Sequence, residues 1–232
     1  MSTIIIIITF GLIPSFIWLL WFLRKDSHPE SNKMILKIFT YGMLITIIAA
    51  LIELGFFKAI SIFKFSSLTF LILYYFIGIA LVEEGLKYLV VREKVLSNPE
   101  FDEPVDAMLY MIIAALGFAA LENMLVLFPG DQIIQISALR FAGATFLHAL
   151  CSATVGYFLA LSLFETKKRP AFIIIGLAAA TFLHGIYNFS IIKTEDNPYF
   201  ILIPIILLIS LAFFVSFGFR KLKKMASVCK TT

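Results

Sequence analysis

Eight ionisable side chains lie within stretches of this chain that are otherwise apolar enough to sit in lipid. They are Glu53, Glu83, Glu84, Lys87, Glu122, Arg140, His148 and His184. A charged side chain at the bilayer centre costs about 2.5–3.5 kcal/mol on insertion scales, so each such residue is by default a hypothesis for a functional site. Carboxylates and imidazoles are also the groups that general acid–base catalysis and metal binding use.

Two carboxylates and an ammonium stand together in the sequence Glu83-Glu84-Gly85-Leu86-Lys87. Residues three and four apart share a helix face, so both carboxylates can reach the Lys87 ammonium. One lysine neutralises only one carboxylate, which leaves the second for a proton, another cation or water. A neutralised pair that packs one helix into a bundle is the structural alternative, and activation of water by the surplus carboxylate is the functional one.

Two later stretches repeat the four-residue spacing. Phe118 and Glu122, followed by Asn123, place an aromatic ring and a carboxylate on one helix face, and His184 and Asn188 share a face of another helix. For both pairs the structural alternative is hydrogen bonding between membrane helices.

Three ionisable residues stand apart from these pairs. His148 lies deep in an apolar stretch, where it is either a core residue or a ligand. Arg140 lies eight residues before His148, near the outer end of the same stretch, where a long side chain can reach the membrane interface. Glu53 has no comparable neighbour, so we assign it a structural role.

The bulk composition indicates a polytopic membrane protein. Of the 232 residues, 61% are hydrophobic and 15% charged, and the mean hydropathy is +0.98, whereas soluble domains carry about 25% charged residues. The net charge of +4 gives no nucleic-acid signal, because the basic residues cluster in the connections between spans. The polar connections are too short to fold alone, so we expect residues 1–232 to form a single all-α transmembrane bundle.

Taking about 20 apolar residues as one span, the sequence predicts about seven spans. They cover residues 3–23, 36–57, 67–91, 107–128, 138–164, 171–192 and 199–219. With the N-terminus outside, fourteen of the 19 lysines and arginines fall in cytoplasmic connections and three in outside connections. The positive-inside rule therefore predicts an outside N-terminus and a cytoplasmic C-terminus. Most of the ionisable residues lie in spans three to six, where we expect the site.

The ordered motifs resemble those of the PrsW family of intramembrane proteases. They are Glu83-Glu84-x-x-Lys87, Phe118-x-x-x-Glu122 followed by Asn123, His148 in the next span, and His184-x-x-x-Asn188. The resemblance covers residues 80–190, which we take as the catalytic core. The related prenyl-protein endoproteases pair EExxxR with FxxxH, and this chain instead has Lys87 and Glu122, which favours the PrsW branch.

The resemblance implies a multi-pass protease in the plasma membrane of a prokaryote. Its partners would be membrane lipid and a single-span membrane protein, in some members an anti-sigma factor at its first regulated cleavage, and not nucleic acid. The water-activating base would be Glu83 or Glu84, with Glu84 preferred and with Lys87 tuning the pair. His184 and Asn188 would stabilise the oxyanion.

The role of Glu122 divides two mechanisms. In the first, Glu122, His148 and His184 hold a catalytic Zn²⁺ with an open water position, and the Glu83-Glu84 pair is the base. In the second, no metal binds, and Glu122 joins that pair in activating water. The metal version rests on residue types and on the usual classification of the family, since an HExxH signature is absent.

Two expectations bear on whether these residues form a site at all. At 1.5 Å per residue, Glu122, His148 and His184 lie about 4–7 Å outward of the membrane midplane, and Glu83 and Glu84 lie a similar distance inward. One site therefore requires the third span to tilt or to begin later. The competing functions are a proton-coupled transporter, in which buried Glu, Lys and His relay protons, and an inactive immunity-type binding homologue.

Overall fold

The computed structural model describes residues 2–25 and 28–225, and this part of the chain is helical without any strand. The α-helices are α1 (Ser2–Leu23), α2 (Asn32–Ser61), α3 (Ser67–Ile72), α4 (Val82–Lys94), α5 (Pro104–Leu127), α6 (Ile133–Ala142), α7 (Ala144–Phe164), α8 (Arg169–Lys193) and α9 (Leu202–Leu222). A π-helical segment, Leu73–Leu81, joins α3 to α4, and short 3₁₀ turns precede α8 and α9.

The all-α fold and the seven spans are confirmed. The helical segments long and apolar enough to cross a membrane are Thr3–Leu23, Asn32–Ser61, Ser67–Lys94, Pro104–Leu127, Ile133–Phe164, Thr166–Lys193 and Pro198–Leu222. Most exceed the predicted ranges by a few residues at one or both ends, because the helices continue past the apolar stretch into the polar connections.

Two spans form the centre of the bundle. The most apolar window is 72% buried in the span Pro104–Leu127 and 78% buried in Ile133–Phe164, against 22–28% in the other five. A helix that is apolar on every side belongs in the interior, and α5 matches this with a run of fully buried residues from Ala107 to Leu116. The remaining spans pack around α5 and α7 and present their large apolar side chains to lipid.

Glycines allow α2 and α5 to cross closely. A Cβ atom on Gly117 would lie 2.0 Å from the backbone oxygen of Phe39, and one on Gly42 would lie 2.1 Å from that of Ala114. Small residues at helix crossings are the usual means by which membrane helices approach, since lipid supplies no hydrophobic driving force between them. This crossing fixes the helix that carries Phe118 and Glu122.

Two spans depart from a regular α-helix close to the predicted site. In the third span, the π-helical segment Leu73–Leu81 directly precedes the helix that carries Glu83 and Glu84. The fifth span breaks at Gly143, where a Cβ atom would lie 2.4 Å from the hydroxyl oxygen of Tyr187. Trp18 Nε1 donates to the Phe141 carbonyl at 2.8 Å, beside this break. Local departures of this kind are frequent at functional sites.

The close crossing of α2 and α5 predicts that Gly117→Ala destabilises the protein. The added Cβ would meet the Phe39 backbone, and separating two packed helices by an extra methyl group typically costs about 1–3 kcal/mol. Gly55→Ala in α2 is the matched control, because no atom of the described residues outside its own helix backbone and chain neighbours lies within 4 Å of its Cβ position. We expect Gly117→Ala alone to lower the unfolding temperature in detergent; equal temperatures for both variants would contradict the proposed crossing.

Candidate active site

A buried ammonium lies at the centre of the ionisable cluster. Lys87 Nζ is 3.1 Å from Glu83 Oε2 and 2.8 Å from Glu84 Oε1, and 2.9 Å from His148 Nδ1. It also lies 4.3 Å above the Phe118 ring, on the negative face of the aromatic system. The Lys87 side chain is fully buried, so these contacts replace its hydration.

Both oxygens of Glu84 are occupied. Oε1 accepts from Lys87 and lies 3.1 Å from His184 Nδ1, while Oε2 accepts from the Ser152 hydroxyl at 2.8 Å. Because a carboxylate only accepts hydrogen bonds, His184 Nδ1 must carry a proton. The second ring nitrogen of His184, Nε2, is then the one that faces Glu83, at 4.0 Å from its Oε2.

Glu83 is held less completely than Glu84. Its Oε2 contacts Lys87 and lies 3.6 Å from His148 Nδ1, and the side chain lines a cavity of about 630 Å³. Glu84 does not line this cavity. Of the two neighbouring carboxylates, Glu83 is therefore the one that a molecule in the cavity can reach.

A second chain of contacts starts at the other nitrogen of His148. Its Nε2 lies 2.7 Å from Glu122 Oε2, which is also 2.9 Å from an Arg140 guanidinium nitrogen. Lys87 offers only donors, so in a neutral His148 the Nδ1 atom accepts from Lys87 and Nε2 donates to Glu122. The carboxylate of Glu122 thus sets the orientation and the tautomer of the imidazole.

Asn123 contacts the Arg140 end of this series of contacts and does not line the cavity. Its Oδ1 accepts from Arg140 Nε at 2.5 Å, and its Nδ2 donates to Thr145 at 3.1 Å and to the Gly11 carbonyl at 3.3 Å. Of the two alternatives for Arg140, the contacts with Asn123 and Glu122 favour a place in the site over a side chain directed to the interface. The sequence does not reveal this pairing, because the two residues lie in different helices.

Two helices outside spans three to six, α2 and α9, also line the cavity. It is lined by Glu83, Glu122, His148, His184 and Asn188, together with apolar side chains of α6 to α9. Glu53 of α2 also lines it, so the structural role assigned to Glu53 from the sequence overlooked a residue of the site. Its one sequence signal is that it is the only acidic residue of the second span.

Glu83, His148 and Glu122 form one network although the sequence predicted different membrane depths for them. Glu83 lies 3.6 Å from His148, and His148 lies 2.7 Å from Glu122, so one network joins the three helices. The depth argument assumed a regular α-helix throughout the third span, whereas the chain is π-helical from Leu73 to Leu81 and its wider turns change both the height and the facing of the residues that follow.

Four side chains offer donors suited to a metal ion. One ligand atom from each of Glu83, Glu84, His148 and His184 lies within 4.8 Å of the others, and all four residues are buried. Carboxylate and imidazole donors suit Zn²⁺. Within the described residues Glu122 does not belong to this group, so the ligand set Glu122, His148 and His184 stays a prediction, and the geometry favours a carboxylate of the Glu83-Glu84 pair in place of Glu122.

Comparisons with known proteins agree with the motifs. The family described as PrsW family intramembrane metalloprotease matches residues 30–217. Protease PrsW of Bacillus subtilis (strain 168) is 28% identical over 224 residues, 96% of this chain and 96% of its own length. Protease PrsW of Geobacillus kaustophilus (strain HTA426) is 29% identical over 195 residues, 84% of this chain and 83% of its own.

A third relative, Protease PrsW of Oceanobacillus iheyensis, is 29% identical over 203 residues, 88% of this chain and 90% of its own. No solved structure matches significantly. The family match extends the resemblance from residues 80–190 to most of the described chain, including α2 with Glu53 and most of α9. The chain belongs to the PrsW family of intramembrane proteases.

Proposed function

We propose that this protein hydrolyses a peptide bond of a single-span membrane protein, with a water molecule activated by Glu83. The observation that carries the proposal is the position of Glu83, which lines the cavity while its Oε2 lies within 4.0 Å of both imidazoles. Glu84, the base preferred on the sequence, has both oxygens occupied. The contacts therefore support Glu83 as the base and Glu84 as the residue that orients His184.

The reaction follows from these roles. Glu83 takes a proton from water, the resulting hydroxide attacks the scissile carbonyl carbon, and the carbonyl oxygen becomes an oxyanion. A protonated His184 offers Nε2–H to that oxyanion, while its Nδ1–H stays on Glu84, and the Asn188 amide lies on the same wall of the cavity. Glu83 then returns the proton to the leaving amine as the C–N bond breaks.

A zinc ion fits the same place. Glu83, Glu84 and Glu122 carry three negative charges when ionised, and Lys87 and Arg140 carry two positive ones, so the site has a surplus of acid that a bound cation would balance. His148 and His184 with a carboxylate of the Glu83-Glu84 pair would hold it, and zinc would then take the place of Lys87 as the partner of His148 Nδ1. When bound, zinc supplies Lewis-acid activation of the attacking water.

The membrane, the orientation and the substrate of the protein belong to the same proposal. The whole described chain acts as one bundle in a prokaryotic plasma membrane, with the N-terminus outside as the positive-inside rule predicts. An anti-sigma factor is the first substrate to test, on the strength of the family resemblance. A transporter role finds no support in the family match, which names proteases.

We expect Glu83→Gln to reduce cleavage by about 10²-fold or more, since a general base contributes about 10²–10⁴. The measurement is the fragment released when the protein is co-expressed with tagged single-span membrane proteins, anti-sigma factors first. Glu93→Gln, a surface change in the same helix, should leave cleavage intact. Cleavage at the wild-type rate by Glu83→Gln would rule out this assignment.

Glu84→Gln should differ from Glu83→Gln in its effect on stability. It leaves Lys87 and His184 without the carboxylate that binds both, and breaking one member of a buried ion pair typically costs about 3–5 kcal/mol. We therefore expect a clear fall in the unfolding temperature for Glu84→Gln and a smaller one for Glu83→Gln. The reverse order would assign the orienting role to Glu83.

Metal content decides between the two mechanisms. If zinc is the water activator, purified active enzyme should contain about one zinc per chain, and a chelator should abolish cleavage until zinc is restored. His184→Ala should lower the zinc content, whereas Glu93→Gln should not. Full activity with well under one metal per chain would instead establish water activation by the glutamates alone.

A further inference from the structure

A long groove runs along the outside of the bundle and adjoins the active-site cavity at one end, where Ala142, Ile205 and Leu208 line both. It consists of two adjoining cavities of about 610 and 340 Å³. Both are lined by Trp21, Phe146, Ala212 and Ser216. The groove therefore lies between α1 and α9, with residues of α7 between them, and its lining extends from Ile205 in the first turn of α9 to Lys223 directly after the helix.

Three cations line one end of this groove. They are Lys25 after α1, Arg220 in the last turn of α9, and Lys223 directly after α9. Within the described residues none of the three forms an ion pair with a carboxylate. Lys25 lies 4.3 Å from the Trp21 ring centre, and Arg220 Nε donates to the Ser216 carbonyl at 3.3 Å. Their positive charge is not neutralised by any described acidic side chain.

The basic half of the groove, from Ala212 to Lys223, matches one leaflet of a bilayer. Ala212, shared by the two cavities, and Lys223 are eleven residues apart along the chain, which corresponds to about 16 Å of helix. The hydrocarbon core of a membrane is about 30 Å thick, so one leaflet is about half of that. The groove thus places three cations at the headgroup level and an apolar trough, lined by Phe146, Leu150 and Val215, at the level of the acyl chains.

We propose that this groove binds an anionic phospholipid. Its phosphodiester would lie among Lys25, Arg220 and Lys223, and its acyl chains would lie along the trough. Basic pockets between membrane helices suit anionic headgroups, and a zwitterionic lipid would bring its own cation next to the three already there. An apolar substrate helix would leave the three charges unmatched. The inference is independent of the proposed catalytic mechanism.

The chain carries its own probe for this site. It has two tryptophans, and both Trp18 and Trp21 line the groove. Brominated acyl chains quench tryptophan fluorescence on contact. The experiment compares wild-type protein in vesicles that contain equal fractions of brominated phosphatidylglycerol or brominated phosphatidylcholine. We expect about fivefold tighter apparent binding of the phosphatidylglycerol, equivalent to about 1 kcal/mol, the contribution of a single cation toward an anionic lipid surface.

Charge-matched variants locate the effect. The groove variant is Lys25→Gln with Arg220→Gln and Lys223→Gln. The control is Lys33→Gln with Lys37→Gln and Lys167→Gln, which removes three exposed cations elsewhere in the chain. We expect the groove variant to lose the preference for phosphatidylglycerol and the control to keep it. If the groove variant does not fold, competition in the wild type still tests the site: unlabelled phosphatidylglycerol should relieve the quenching, and unlabelled phosphatidylcholine should not.

Three results would overturn the proposal. The first is equal quenching of the wild type by the two brominated lipids. The second is an equal loss of preference in the control variant, which would indicate general attraction to a charged surface. The third is quenching by a brominated transmembrane peptide that phosphatidylglycerol does not displace, which would assign the groove to a protein helix.

Discussion

The buried ammonium of Lys87 is the constraint on which the arrangement of the site depends. An ammonium without water must find anions and acceptors, or it costs several kcal/mol. Lys87 finds two carboxylates in its own helix and the imidazole of His148 in α7, beside the ring of Phe118 in α5. Three helices therefore meet at one atom, and their mutual register follows from it.

Two rows of contacts extend from that atom and orient the imidazoles. Glu84 accepts from Lys87 and fixes the Nδ1 proton of His184. Across the site, His148 joins Lys87 to Glu122, which Arg140 in turn binds. Each imidazole thus has a carboxylate that sets its tautomer before a substrate arrives. Orientation in advance is what electrostatic stabilisation of a transition state requires, because no free energy is then spent on turning dipoles.

The sequence predicts the residue types of the site and less of their pairing. Glu83, Glu84 and Lys87 were recognisable as one group because helical spacing places them on one face, and the length of the apolar stretches predicted seven spans. The bond from Arg140 to Asn123 joins different helices, which no local pattern reports. The position of Glu53 beside the cavity was missed for the same reason, because it also depends on how different helices pack. The contact between Glu83 and His148 did not follow from the estimated depths, because that estimate assumed a regular α-helix where the chain is π-helical.

A purely structural role would not explain the excess of acid. One carboxylate suffices to neutralise Lys87, and Glu84 alone fills that role with both oxygens bonded. Glu83 adds a second negative charge in the same turn, and it faces a cavity whose wall also carries Glu53 and Glu122. Buried charge of one sign lowers stability unless something balances it. The surplus negative charge at Glu83 therefore calls for a proton or a metal ion, and either would serve hydrolysis, the proton by its transfer to and from Glu83 and the metal by activation of water.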